Sequence, residues 1–217
     1  MNTMLHKLTL LALIFTTTAC TQAASDVTGM IPTPAIDLKP AEGQSSAHVV
    51  LAGGCFWCTE AVFEAVPGVS DVVSGYAGGT KEDADYDKVS AGSTAHAEAI
   101  KITYDPSKVS FGNLLKIFFA AAHDPTQLNR QGPDSGKQYR SAIFFADDEQ
   151  KRVAEAYIKQ LSDAKTFDKP IATTLEKLDT FYPAEEYHQD FVKRNPNHGY
   201  VQQNVPQKLA KLKKILK

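Results

Sequence analysis

Apolar positions along the chain repeat with period two in some stretches and at helical spacing in others. Residues 48–52 read as a short buried strand, and Gly53-Gly54 makes the turn that follows. Residues 56–66 are apolar at helical spacing and stop before Pro67-Gly68. Residues 69–76 alternate and are rich in β-formers, which predicts a strand ending at Gly78-Gly79. Residues 98–104 alternate and end at Asp105-Pro106; Ser110 is a good N-cap for a helix running through Ala122. Residues 140–146 predict another strand, Asp147 caps a helix to about Leu161, and 171–178 form a last strand.

The order is β-α-β-β-α-β, followed by a further helix and strand. It predicts an α+β protein, a two-layer α/β sandwich with a split β-α-β (ferredoxin-like) core and helices on one face of a mainly antiparallel sheet. Residues 77–97 and 123–139 lack periodicity and are rich in Gly, Asp, His, Tyr and Arg. Long polar loops on a compact scaffold are where sites are usually built.

The N-terminus reads differently. A single Lys7 precedes the apolar run 8–15, and small residues follow up to Thr18-Ala19-Cys20. That is the plan of a secretory signal over residues 1–24, with an apolar run too short to span a bilayer, so export to the periplasm or cell exterior is expected. The small-Ala-Cys ending resembles a bacterial lipoprotein signal with Cys20 as the lipidated residue, although Thr17 stands where that pattern prefers Leu. Ordinary cleavage after Ala23 or Ala24 is the alternative. Residues 25–46, with Pro32, Pro34 and Pro40 and few large apolar residues, predict a tether, and the domain is expected over 47–205. Residues 206–217 form a basic amphipathic tail, read as a terminal helix with its leucines packed on the domain; a membrane-surface role is the alternative.

A net charge of -2 and a pI near 6.3 give no case for nucleic-acid binding. Of the three cysteines, Cys20 belongs to the signal, leaving Cys55 and Cys58, too few for a disulfide framework and suggestive of a redox or nucleophilic pair. Cys55 follows a Gly-Gly turn and opens a helix, where free N–H groups favour an anion, so a lowered thiol pKa is expected. Cys58, one turn later, lies within disulfide reach. Phe56 and Trp57 are placed to line a small apolar cavity, or else one is simply core. A carboxyl group entering a strand near aromatics, as Glu98 does, would be desolvated and able to donate a proton, but taken alone Glu98 reads as an ordinary solvent-facing strand glutamate, Tyr86 and Tyr139 as packing residues, and Asp134 as a turn former.

The run Gly53-Gly54-Cys55-Phe56-Trp57 resembles the signature of the A-type peptide methionine sulfoxide reductases. The similarity continues in order through Ser74-Gly75-Tyr76-Ala77-Gly78-Gly79, then Tyr86, Gly92 and His96-Ala97-Glu98, then Tyr104-Asp105-Pro106 and His123-Asp124-Pro125-Thr126. It ends with Asn129-Arg130-Gln131-Gly132, Asp134, Gly136, Gln138-Tyr139-Arg140-Ser141, Phe181-Tyr182, Ala184-Glu185 and Tyr187-His188-Gln189. The resemblance implies Cys55 as nucleophile, Phe56 and Trp57 as the pocket for the S-methyl group, and Glu98 as the acid for the sulfoxide oxygen. It further implies that Tyr86 and Tyr139 hydrogen-bond that oxygen, that Asp134 completes the polar side, and that the S epimer is the substrate. It implies no bound cofactor or metal, action as a monomer on free or protein-bound methionine sulfoxide, and an external thioredoxin-like dithiol as electron donor. Two departures stand out: Ala95 replaces the usual Gly, and many members have Gly at the position of Cys58 and keep resolving cysteines near the C-terminus. Here no cysteine follows Cys58, so recycling is expected to use Cys58 or an external thiol. A general thiol–disulfide oxidoreductase and a metal-binding module are the competing classes; the second lacks a further ligand pair at zinc spacing.

Overall fold

The structure, a computed structural model, describes residues 31–217; the expected signal segment and Cys20 lie outside the described residues. In chain order the elements are β1 (Ala47–Gly53), α1 (Phe56–Glu64), β2 (Val69–Ala77), α2 (Tyr86–Ser90), β3 (Ala97–Tyr104) and α3 (Phe111–Ile117), which continues into a π turn over Phe118–Ala122. Then come β4 (Arg130–Gln131), β5 (Asp134–Ser135), β6 (Ser141–Phe145), α4 (Asp148–Asp163), β7 (Thr174–Lys177), β8 (Phe181–Pro183), α5 (Phe191–Arg194) and α6 (Gly199–Ile215). Both expected caps are made: Ser110 accepts from the Asn113 N–H and Asp147 from the Gln150 N–H.

The main sheet runs β7-β6-β1-β3-β2-β8. Its centre, β6-β1-β3-β2, is antiparallel throughout and is the split β-α-β core. The α4 crossover adds β7 parallel to β6, and β8 pairs antiparallel with β2 at the other edge. Side chains alternate across this sheet. Val49, Leu51, Ile100, Ile102 and Ile143 join the large core with Val62 and Phe63 of α1, Leu114 and Leu115 of α3, and Val153 and Tyr157 of α4. Val50, Ala52, Ala97, Ala99, Ala142 and Phe144 form a smaller cluster on the opposite face. Burial on both faces explains why β1 reads as a continuous apolar run rather than an alternating one.

Three findings differ from the sequence expectations. Residues 31–38, within the expected tether, are docked rather than free. Ile31 is buried, the Tyr157 hydroxyl donates to the Pro32 carbonyl (2.8 Å), Gln160 bonds the backbone of Thr33 and Ala35, and Asp37 accepts from the Gly112 N–H at the start of α3 (2.8 Å). A Pro-rich composition disguises this because one apolar side chain and satisfied backbone groups suffice to hold it. The strand β8 went unread because three residues ending in Pro183 carry no periodic signal; Pro is tolerated there because the strand is an edge. Finally, α6 is one helix across the boundary expected at 205/206. Gly199 and Pro206 hide it in the sequence, yet Val201, Val205 and Leu212 are buried along one face.

Candidate active site

The site forms where β1 ends and α1 begins. Gly54 makes the turn at φ +84°, and a Cβ there would lie 2.4 Å from the Gln131 side chain, so conformation and close approach both require glycine. Cys55 is the N-cap of α1, and its carbonyl accepts from the Cys58 (3.1 Å) and Thr59 (3.3 Å) N–H groups. The Phe56 N–H, left over at the helix start, donates to Glu98 Oε2 at 3.0 Å. Glu98 therefore caps the helix that carries the cysteines. It points the same way as Ile100 and Ile102 on β3, opposite Tyr76 of β2, and is 2% exposed. It is not a solvent-facing strand residue. Burial pushes its pKa up to about 8, with the charges of Asp134 and Cys58 adding and the Phe56 N–H opposing. A carboxyl group in this setting is mostly protonated at neutral pH.

Cys55 and Cys58 are both free thiols and both buried. The expectation of a lowered Cys55 pKa does not hold. Burial raises it well above the usual thiol value; the hydrogen bond it gives Cys58 and the charge of Glu98 raise it further, while a bond from Tyr200 opposes. A helix terminus contributes up to roughly 2 kcal/mol at best, less than full desolvation of a thiolate. In addition, the first N–H is already taken by Glu98. Cys58 moves the other way: its pKa is lowered by the hydrogen bond from Cys55 and by the charge of Lys208, against burial.

Around the thiols stands an aromatic wall. Phe56 is 1% exposed and packs between Tyr76 and His188, so it forms the base. Trp57 is partly exposed; its indole N–H donates to His188 Nδ1 (3.0 Å), and its ring stacks on Phe191 with centroids 3.7 Å apart. The Tyr86 ring lies 4.3 Å from the His188 ring. Its backbone N–H is held by Glu185, which also accepts from the Tyr76 hydroxyl. Burial raises the Tyr86 pKa to about 12, with the charges of Glu98 and Cys55 adding. The Tyr139 pKa is raised by burial and by Glu98, Asp134 and Cys55. Both phenols therefore remain hydrogen-bond donors within electrostatic reach of the acid and the nucleophile. Asp134 accepts from the Tyr200 hydroxyl at 2.5 Å, and burial raises its pKa. All eight expected site residues of the domain thus come together. His188, Phe191 and Tyr200 join them without having been singled out; only His188 lay in a motif, while Phe191 opens α5 and Tyr200 lies in α6, the helix hidden in the sequence.

An acid held neutral beside a buried thiol pair is an arrangement suited to the chemistry of thiol-dependent oxidoreductases. Residues 47–217 match the family described as Peptide methionine sulfoxide reductase, and the chain belongs to that family. Among curated relatives, it is 55% identical to Peptide methionine sulfoxide reductase MsrA 2 of Synechocystis sp., over 86% of each chain. It is 54% identical to the protein of the same name from Mesorhizobium japonicum, over 83% of this chain and 91% of the relative. Among solved structures, reduced Mxr1 from Saccharomyces cerevisiae aligns with a TM-score of 0.64 and 34% identity, covering 77% of this chain and 93% of that one. Methionine sulfoxide reductase A of Corynebacterium diphtheriae aligns with a TM-score of 0.61 and 34% identity, covering 76% and 82%.

Proposed function

We propose that the chain reduces methionine-S-sulfoxide to methionine at Cys55, with Glu98 as the acid. The observation that carries this reading is the 3.0 Å bond from the Phe56 N–H to Glu98, which positions beside the nucleophile a carboxyl group that burial keeps protonated. The Cys55 sulfur attacks the sulfoxide sulfur while Glu98 protonates the departing-side oxygen. The protonated oxygen then passes from the substrate sulfur to Cys55 as the transient S–S bond breaks and methionine leaves, so thiol plus sulfoxide gives sulfenic acid plus thioether. Trp57 and Phe56 receive the S-methyl group, Tyr86 and Tyr139 hydrogen-bond the oxygen, and Asp134 with Tyr200 forms the polar side. The Cys58 thiol then condenses with the sulfenic acid, releasing water and forming the Cys55–Cys58 disulfide. No cofactor is bound; an external thioredoxin-like dithiol reduces that disulfide. The pattern at the N-terminus supports action outside the cytoplasm, and the mass of the mature N-terminus checks it.

The activity test is dithiol consumption with each sulfoxide epimer. Turnover with the S epimer and none with the R epimer is expected; no turnover with either contradicts the reading. For the recycling step, Cys58→Ser is expected to release one methionine per enzyme at the wild-type rate and then lose steady-state cycling with a thioredoxin-type donor. Small thiols rescue it in part. Normal cycling of this variant with such a donor removes Cys58 from the scheme.

A further inference from the structure

A lysine stands in the apolar face of α6. Val201, Val205 and Leu212 are buried there, and Val201 and Val205 pack directly with Cys55, Cys58 and Ala61 of α1. Between Val205 and Leu212 that side of α6 carries Lys208 next to Leu209, which packs against the same cluster. Lysine is among the residues least often placed in such a stripe, because its charge loses water there. Its side chain runs inward, and Nζ donates to the carbonyl of Ala122, the last residue of the π turn. That carbonyl adjoins His123, whose ring is fixed between the Phe118 carbonyl (2.9 Å) and the Ser141 hydroxyl (2.6 Å).

The geometry points to Lys208 as a positioning residue for recycling, its ammonium group held by the Ala122 carbonyl, one turn along α6 from Val205, which packs on the thiols with Val201, to supply a positive charge toward Cys58. This rests on the reading of Cys58 as the resolving thiol. Burial lowers the Lys208 pKa, and Lys211 on its own helix adds to that, while Cys58 and Cys55 of α1 and Asp134 of β5 favour its cation. His123 stays neutral, its pKa depressed to about 3 by burial first and then by Lys208. At rest the bond from Cys55 is the largest influence on Cys58, and Lys208 is the largest favourable charge. Oxidation of Cys55 changes that bond but leaves Lys208 in place, so the lysine acts in the step where the Cys58 thiolate is needed. In that step Cys58 gives up its proton, its sulfur bonds the Cys55 sulfur, and the S–O bond breaks. The departing hydroxide takes up one proton, so the net product is water.

The test uses the full chain in single turnover, following methionine release and Cys55–Cys58 disulfide formation separately across pH. In Lys208→Met the disulfide step is expected to slow by about tenfold or more at pH 7 and its midpoint to move to higher pH, the scale for loss of one adjacent charge. Methionine release keeps its wild-type rate, and Lys208→Arg restores most of the disulfide rate. A disulfide step unchanged within about twofold in a folded Lys208→Met variant overturns the proposal. So does an equal fall of both steps, which marks a purely structural lysine. Should that variant not fold, the Cys58 thiolate absorbance is titrated in Cys55→Ser with and without Lys208→Gln; coincident titrations overturn it. If the wild-type protein forms no Cys55–Cys58 disulfide, the recycling reading fails first, and the two failures are thereby told apart.

Discussion

Replacing Cys55 with Ser is expected to eliminate methionine release even in the first turnover, by at least about 10³-fold. The substitution leaves the surroundings almost unchanged. Serine is a good N-cap and fits the space of a residue that is 8% exposed. It keeps a hydroxyl within reach of Cys58 and Tyr200, so the melting temperature is expected to stay close to wild type. What disappears is a polarisable sulfur able to accept oxygen from a sulfoxide. Methionine release in a quenched single turnover, measured beside a thermal melt, checks this. Substantial release from a folded Cys55→Ser protein assigns the nucleophile elsewhere.

The second large effect belongs to Glu98. Glu98→Gln is expected to slow the sulfoxide step by about 10²-fold or more, the usual scale for a positioned acid. Gln keeps an oxygen to accept the Phe56 N–H, so α1 stays capped while the acidic proton is gone. In the wild type the active form is the protonated one, so the rate is expected to fall as pH rises through about 8, where Glu98 titrates. The variant lacks that limb. The same pKa has a consequence for stability. It is raised from 4.5 to about 8 in the folded state, so over that range the folded state binds more protons than the unfolded chain. Stability therefore declines as pH rises across it. Glu98→Gln is expected to be more stable than wild type at pH 8 yet nearly inactive. Glu60, raised by burial to about 7, adds a decline common to both proteins and cancels in the difference. Denaturant melts at pH 5 and pH 8 separate the two effects. A rate loss of only a few-fold returns Glu98 to a helix-capping role.

The sequence made most of this legible, for reasons that differ between elements. The strands of the split β-α-β core carry alternation or a doubly buried run, and the caps Ser110 and Asp147 are local chemistry, so both were readable. Glu98 had a readable signal that the local reading passed over: it shares the parity of Ile100 and Ile102, and a strand whose alternate residues face the core brings its terminal glutamate inward too. Charge argued against burial, and the partner that makes burial tolerable is the Phe56 N–H, forty-two residues away along the chain. The Cys55 pKa was unreadable from position alone, because the helix start speaks for a thiolate while tertiary burial and the neighbouring Glu98 and Cys58 decide against it. Lys208 was hidden more deeply. In a run of lysines it reads as part of a solvated face, and only the continuation of α6 through Pro206 turns it toward the thiols.

The most direct test of the whole scheme is a mass measurement on the full chain after one turnover with methionine-S-sulfoxide and no reductant, with the cysteines mapped by fragmentation. One methionine per chain, and the loss of two hydrogens located to a Cys55–Cys58 bond, are expected. A chain of unchanged mass, or one that carries oxygen on Cys55 without ever joining Cys58, contradicts it.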